Sequence, residues 1–299
     1  MLEAQSMSRR TLLTRSAQTL GAAVLLSPFE SILNALTLGT SRVKGRLKQS
    51  ACRWCYNKIP LEEFAKSAAG LGLQGVDLLN DPKDWPVIKK YGLVSTMTSG
   101  AGTIPDGCNR KDLHDQLERE FQMNIPRAAE NGVPNVITFS GNRRGMSDGE
   151  GLENTVLMLN RVKGLAEKHQ VTICLELLNS KVDHRDYMAD HTTWGAEVIK
   201  RVNSPRVKLL YDIYHMQSMS GDHIRNIQRY GKYISHYHTG GHPGRNEIDE
   251  TQEIYYPAIV KAIVATGYKG YIGQEFVPKA KDKAGMLESL KKCVLICDV

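Results

Sequence analysis

Short apolar runs alternate with longer amphipathic stretches from about residue 46 to the end of the chain. The runs have the length of buried β-strands and are set off by turn residues such as Gly, Pro, Asn and Asp. They predict eight strands, at residues 49–56, 75–79, 93–98, 135–140, 171–178, 207–214, 234–239 and 271–276.

The stretches between the runs predict one helix after each strand. In residues 114–130, for example, Leu117, Phe121 and Ile125 recur every four residues and form one apolar stripe. The strands are too apolar to face water on either side, which is typical of a parallel sheet covered by helices. The predicted helices cover residues 60–70, 84–91, 114–130, 151–169, 190–202, 222–230, 256–266 and 284–296.

Eight such units favour an α/β fold with one domain, a (β/α)8 TIM barrel over residues 46–299. A barrel of this kind needs about 250 residues. A doubly wound open sheet is the alternative, but the first strand-to-helix turn lacks the GxGxxG loop that cradles a dinucleotide phosphate.

Residues 1–45 do not continue this alternation and are similar to an export signal. The motif Ser8-Arg9-Arg10-Thr11-Leu12-Leu13 precedes a short apolar run at residues 17–26, as in a twin-arginine leader. The run is too short to span a membrane as a stable helix. We therefore expect residues 1–45 to be a twin-arginine leader and the protein to be periplasmic or extracellular. An amphipathic helix with a chance Arg pair is the alternative.

The composition describes a globular chain, with 41% hydrophobic and 24% charged residues among 299. The formal net charge is +7, and residues 1–45 contribute +3 of it through five Arg or Lys against two Glu. The rest contains no dense basic run with interleaved aromatic residues, so we expect no nucleic-acid partner. The six cysteines are scattered, and Cys52-x-x-Cys55 has no second pair with which to form a zinc knuckle.

Four consecutive predicted strands end in a side chain that could bind a metal ion. Because a buried carboxylate or imidazole is costly unless it is paired or metal-bound, four at matching positions favour a shared site over isolated core polar residues. Three carboxylates and one imidazole suit Mn²⁺, Mg²⁺ or Co²⁺ better than a thiolate-preferring metal. The four residues are Glu176, Asp212, His238 and Glu275.

At these strand ends the chain resembles the xylose-isomerase-like sugar isomerases and epimerases, and among them the hydroxypyruvate isomerase group. The resemblance covers residues 49–299 and implies one divalent cation held by the four residues above. Hydroxypyruvate isomerases often have Gln where this chain has His238, whereas ketose 3-epimerases have His there. The motifs that carry the resemblance are Leu175-Glu176, Tyr211-Asp212-Ile213-Tyr214-His215, His236-Tyr237-His238-Thr239-Gly240, Pro243-Gly244-Arg245 and Gly273-Gln274-Glu275.

The resemblance also implies proton transfer at a carbon beside a carbonyl, through an enediolate, in a small sugar or a hydroxypyruvate-like substrate. Glu176 and Glu275 would act as base and acid on the two sides of the substrate. We expect either an aldose–ketose isomerase, which is an intramolecular oxidoreductase, or a ketose epimerase. We expect no stable membrane insertion, and the protein could form a homo-oligomer.

Further residues are expected near the substrate. His215, beyond the sixth strand, could donate to a substrate oxygen, and Arg245 could pair with a substrate carboxylate or hydroxyl. A helix-capping His and a surface Arg are the alternatives. Arg53 and Trp54 are expected to form a wall of the pocket, and His184, which follows Asp183, to approach the substrate.

Two other functions remain open. The related abasic-site endonucleases share the barrel but bind three zinc ions, which would require more His and carboxylate ligands at strands two to four. Asp77, Thr98 and Ser140 occupy those places instead. The other alternative is an exported barrel that binds a sugar without converting it.

Overall fold

The structure is a computed structural model that describes residues 43–299. The twin-arginine motif and all but the last three residues of the predicted leader lie outside the described residues. Nine strands form one parallel sheet, at Lys48–Cys52 (β1), Gly75–Asp77 (β2), Val94–Ser95 (β3), Thr98–Ala101 (β4), Asn135–Thr138 (β5), Thr172–Leu177 (β6), Val207–Asp212 (β7), Ile234–Thr239 (β8) and Tyr271–Gln274 (β9).

The sheet closes into a barrel because its first strand in sequence, β1, pairs with its last, β9, as well as with β2. Its strand order is β3-β2-β1-β9-β8-β7-β6-β5-β4, and only two residues separate β3 from β4 along the chain. These two strands are therefore halves of one barrel strand, and the fold is the eightfold barrel that the sequence predicts.

The third strand is predicted at residues 93–98, but the structure shows two short strands there, β3 and β4, and the second continues to Ala101. Its first half pairs with β2 and its second half with β5. Thr96 still donates its backbone N–H to Val76 (3.0 Å), so the change of partner takes place over the next two residues. A register shift between Ser99 and Ala101 completes it.

Helices surround the barrel and bury one face each. In α3 the buried residues are Leu117, Phe121, Ile125 and Ala128, together with His114, so the predicted apolar stripe is confirmed. Among the described residues, no helix has the length and apolar character that a membrane span requires. The helices are Leu61–Gly70 (α1), Trp85–Lys89 (α2), His114–Glu130 (α3), Asp148–His169 (α4), Thr192–Val202 (α5), Ile213–Met219 (α6), His223–Tyr230 (α7), Tyr256–Ala265 (α8) and Lys283–Ile296 (α9).

Helix α6 is not among the predicted helices, because residues 207–214 are predicted to be a strand and the next predicted helix begins at residue 222. The strand ends two residues earlier, at Asp212, whose side chain accepts a hydrogen bond from the backbone N–H of His215 (3.0 Å). An Asp at this position caps a helix, and the helix begins at once. His215 therefore lies in a helical turn above the barrel and not in a loop.

Candidate metal centre and active site

The four strand-end residues converge inside the mouth of the barrel. Parallel strands place their carboxyl ends at one edge, and the register pairs Asp212 on β7 with His238 on β8. Glu176 is the fifth residue of β6, and Glu275 follows β9 directly. One ligand atom from each of the four lies within 4.8 Å of the others, and all four residues are buried.

Gly273 on β9 leaves the space that this cluster fills. A β-carbon at that position would lie 2.5 Å from Asp77 Oδ2 and 2.9 Å from His238 Cδ2. The barrel interior therefore has room for the imidazole only because its partner on β9 has no side chain.

His238 has one ring nitrogen directed at the carboxylates and the other at Asp77. Its Nδ1 lies 2.7 Å from Glu275 Oε2 and 3.6 Å from Glu176 Oε1, but it makes no hydrogen bond and is buried. Its Nε2 lies 3.2 Å from Asp77 Oδ2. A carboxylate behind an imidazole fixes the ring and its tautomer in many metal sites.

Asp77 also contacts a second imidazole, since its Oδ2 lies 2.5 Å from His236 Nε2. All three residues of this group are completely buried. Sequence reasoning did not assign a role to Asp77 or His236, although alternation along β8 places His236 and His238 on one face and Asp77 ends β2.

Arg245, in the loop after β8, bonds to the cluster through all three guanidinium nitrogens. Nη2 donates to Asp212 Oδ2 (2.9 Å) and Glu275 Oε2 (2.5 Å), and Nε donates to the Glu275 carbonyl oxygen (3.3 Å). Nη1 lies 2.5 Å from His215 Nε2. The guanidinium thus compensates part of the buried negative charge.

The carboxylates differ in proton affinity. Burial raises the pKa of Asp212 to about 7, although Arg245 lowers it in part, and burial also raises the pKa of Glu176. For Glu275, the charges of His238 and Arg245 more than offset burial and hold its pKa well below the usual range. Environments that separate the pKa values of two carboxyl groups are typical of sites with one acid and one base.

His215 is held at the edge of the cluster by Asn179, whose Nδ2 lies 2.8 Å from His215 Nδ1. The Asn179 amide is oriented by its Oδ1, which accepts from the backbone N–H groups of Val182 and Asp183. Burial and the charge of Arg245 lower the pKa of His215 well below the usual value, so its ring is neutral. Asn179, which follows β6 closely, is a supporting residue that sequence reasoning missed.

Of the adjacent pair Arg53 and Trp54, the structure brings only Trp54 to the site. The Trp54 indole N–H donates to Glu275 Oε1 (2.7 Å), while the ring lines the cavity and is 41% exposed. Arg53 turns away and donates to the carbonyl oxygens of Tyr56 and Ile59. Both residues lie in a short 3₁₀ turn, Arg53–Tyr56, which directs neighbouring side chains differently. The expectation that Arg53 forms part of the wall therefore does not agree with the structure.

Above the cluster lies a cavity of about 510 Å³ with two unlike sides. The polar side carries Glu176, Glu275, His215 and Arg245, with His184 and Asp183 from the loop after β6. The His184 ring is 5.2 Å from that of His215 and lines the same cavity, and its contact with a substrate stays a prediction. The other side is apolar and was not anticipated from the sequence; it is formed by Trp54, Leu78, Ile104, Ile137, Phe139 and Leu178.

The donor set fits a divalent cation. Three buried carboxylates and an unbonded imidazole nitrogen surround one point, and hard oxygen ligands with one nitrogen suit Mg²⁺, Mn²⁺ or Co²⁺. Glu176, Asp212, His238 and Glu275 could hold such an ion, with Asp77 orienting the imidazole from behind.

Comparison with known proteins gives a family and several relatives. A family model described as the xylose isomerase-like TIM barrel matches residues 56–293. A putative hydroxypyruvate isomerase of Danio rerio is 29% identical over 64% of this chain, but the match spans only 57% of that protein. One of Homo sapiens is 27% identical over 78% of this chain and 80% of its own length. A 2-oxo-tetronate isomerase of Pectobacterium atrosepticum is 24% identical over 77% of this chain and 92% of that protein.

Solved structures share the fold at lower identity. A Brucella melitensis protein described as an AP endonuclease of family 2 superposes with a TM-score of 0.72 at 23% identity, over 80% of this chain and 97% of that one. A D-psicose 3-epimerase of Clostridium cellulolyticum H10 gives 0.70 at 16% identity, over 83% and 96%. At these identities the likeness concerns the fold alone.

Proposed function

Because the chain belongs to the xylose isomerase-like TIM barrel family, we propose that it is a metal-dependent isomerase or epimerase of a small hydroxy-carbonyl compound. The observation that carries the proposal is the convergence of two glutamates, Glu176 and Glu275, with Asp212 and His238 at the mouth of the barrel. The relatives described as hydroxypyruvate and 2-oxo-tetronate isomerases support the same reaction class.

The cation would be held by the four converging residues. When bound, it would polarise the carbonyl and neighbouring hydroxyl of the substrate and stabilise negative charge on their oxygens. Mn²⁺, Mg²⁺ and Co²⁺ are the ions that the donor set favours.

Glu176 and Glu275 would move the proton. One carboxylate would remove the proton from the hydroxyl-bearing carbon beside the carbonyl, which leaves an enediolate. The other carboxyl would return a proton either to the opposite face of the same carbon or to the former carbonyl carbon, and in the second case the hydroxyl proton also passes from one substrate oxygen to the other. Return to the same carbon is epimerisation, and return to the former carbonyl carbon is isomerisation. The opposite pKa directions of the two glutamates support such a division of roles.

Three polar neighbours would position these groups. The Trp54 indole holds Glu275 through its N–H, and Arg245 fixes the same carboxylate from the other side. The neutral ring of His215 would contact a substrate oxygen at the rim of the site. We assign no substrate role to Arg53.

The test is metal-dependent exchange of the substrate α-proton in heavy water, followed by NMR with hydroxypyruvate, tetronates and small ketoses. Exchange that disappears with a chelator and returns with Mn²⁺ is the expected result. Glu176→Gln and Glu275→Gln should each reduce exchange by about 10²–10⁴-fold while metal binding weakens only moderately, because the amide keeps one coordinating oxygen. Lys66→Gln, on an exposed face of α1, is the control.

Two outcomes would redirect the proposal. Binding of several sugars without exchange would favour a non-catalytic sugar-binding barrel. Three zinc ions per chain in elemental analysis would favour the abasic-site endonuclease alternative.

A further inference from the structure

The chemical contrast between the two sides of the cavity bears on the substrate itself. The inference rests on the proposed function and concerns the compounds that the same site accepts.

The polar side holds no free positive charge. Within residues 43–299, Arg245 is the one Lys or Arg side chain that lines the cavity, and its nitrogens already bond to Asp212, Glu275 and His215. A substrate carboxylate that bonded to this guanidinium in their place would leave the buried carboxylates of Asp212 and Glu275 without their positively charged hydrogen-bond donor. Breaking a buried ion pair in this way is costly.

Negative charge remains in excess even with a divalent cation present. Glu176, Glu275 and Asp183 line the cavity and Asp212 adjoins it, so four carboxylates face one guanidinium. Asp183 is satisfied by neutral donors, since the Tyr214 hydroxyl (2.9 Å) and the Asn179 amide (2.7 Å) bond to it. An anionic substrate would therefore enter a site whose field repels it.

The opposite side of the cavity offers apolar contact. Phe139, Ile104 and Leu78 are half-buried and Ile137 and Leu178 are buried, while Asn80 and Ser99 add two neutral polar groups near the opening. A cavity of about 510 Å³ falls within the roughly 300–1,000 Å³ typical of sites for drug-sized ligands. A three-carbon acid would contact only a small part of this surface.

We propose that the substrate is an uncharged hydroxy-ketone that carries an apolar or aromatic substituent, which packs between Trp54 and Phe139. The hydroxy-ketone end meets the carboxylate cluster and the substituent fills the apolar side. This chain would then differ in substrate charge from relatives whose names refer to keto acids.

Charge is tested with two compounds that differ in little else, dihydroxyacetone and hydroxypyruvate. We expect Mg²⁺-loaded protein to bind dihydroxyacetone at least about tenfold more tightly in calorimetry, because only hydroxypyruvate brings a carboxylate into the cavity. Ser99→Lys supplies a cation at the exposed second residue of β4, which lines the cavity, and should reverse the preference, whereas the uncharged Ser99→Gln should not. Tighter binding of hydroxypyruvate by the unmodified protein would overturn the charge part of the proposal.

The apolar side is tested with fructose and its 6-O-benzyl ether. The ether should bind about tenfold more tightly, since buried apolar groups contribute on this scale. Phe139→Ala should abolish that gain, so that the ether and fructose bind this variant about equally. Leu157→Ala, at an exposed position on α4, is the matched control and should preserve the gain. Equal binding of both sugars by the unmodified protein would overturn the apolar part.

Failure of this inference is distinguishable from failure of the proposed function. If hydroxypyruvate or tetronates undergo α-proton exchange and the uncharged ketones neither bind nor exchange, the substrate class is wrong and the isomerase assignment stands. If uncharged ketones bind but no compound exchanges its proton, the substrate class holds and the enzymatic assignment falls.

Discussion

At the scale of single residues, the position of polar residues at strand ends predicted the four residues of the cluster. It did not predict the residues that support them, Asp77 and Asn179. Polar residues at the last inward position of a parallel strand meet at one edge, so Glu176, Asp212, His238 and Glu275 could be anticipated together. Asp77 could not be given a role, because its partner His238 is 161 residues away and no local pattern indicates which strand ends face each other. The choice between Arg53 and Trp54 depended on a short turn that the sequence did not reveal.

Asp77→Asn should weaken metal binding without removing any ligand. The amide cannot hold the imidazole of His238 as the carboxylate does, and loss of such a supporting group typically costs about 10–100-fold in metal affinity. Titration calorimetry with Mn²⁺ measures the effect. Asp81→Asn, in the exposed loop after β2, is the control. Equal affinities in the two variants would show that Asp77 does not orient the imidazole.

Metal binding should strengthen as the pH rises through neutrality. Burial raises the pKa of Asp212 to about 7, so below that pH a cation must displace a proton from this carboxyl group. The sign follows directly, since the deprotonated form binds and its population grows with pH. We expect affinity to fall by about tenfold per pH unit well below pH 7 if one proton is released. Equilibrium dialysis with Mn²⁺ from pH 5 to 8 checks this, and a flat profile would contradict it.

At the scale of elements, the hydrophobic periodicity predicted a strand in each unit of the barrel and nearly every helix. The predicted bounds were wrong where a capping side chain or a change of the paired strand sets the end of the element. The hydroxyl and the backbone N–H of Thr96 both donate to the carbonyl oxygen of Val76 on β2, while Thr98 already pairs with β5. The third strand therefore breaks within an apolar run. Asp212 ends β7 by capping α6, although Ile213 and Tyr214 continue the apolar pattern of a strand.

Gly273→Ala tests how tightly the strands pack at the site. The added methyl group would overlap Asp77 Oδ2 and His238 Cδ2 in the closed interior of the barrel. We expect a loss of about 1–3 kcal/mol in the free energy of unfolding. Urea unfolding measures it.

Gly164→Ala is the matched control, because a β-carbon there meets nothing within 4 Å and the residue lies in the interior of α4. It should be neutral or stabilise the protein by about 0.5–1 kcal/mol. Equal stability of the two variants would show that the barrel interior yields easily at β9.

At the scale of the whole molecule, the eightfold alternation was enough to predict the barrel, while the substrate cavity could not be predicted. The apolar side draws Leu78, Phe139 and Ile104 from different strand ends and loops, and nothing in their local sequence distinguishes them from core residues. Only closure of the sheet brings them into one cavity with Trp54.

A protein shortened to residues 46–299 should fold and bind metal, because the sequence of residues 1–45 contains none of the predicted strands or amphipathic helices of the barrel, although Val43 packs against the core. Circular dichroism and Mn²⁺ titration of this variant are the measurement. An unfolded or insoluble product in the presence of metal would move the domain boundary. Fractionation of cells that express the full chain, with Arg9→Lys/Arg10→Lys as control, tests the proposed twin-arginine export.

The pairing of β1 with β9 has a consequence for the order of events during synthesis. The ring cannot close until β9 has left the ribosome, more than 200 residues after β1, and Glu275, which completes the metal-binding group, leaves with it. Joining segments so far apart in sequence is slow, because the intervening chain must first become ordered. A nascent chain would therefore remain open and without a complete metal site until β9 and Glu275 have emerged. If the protein is exported as we propose, a folding check before passage across the membrane would test one late event, the docking of β9 against β1.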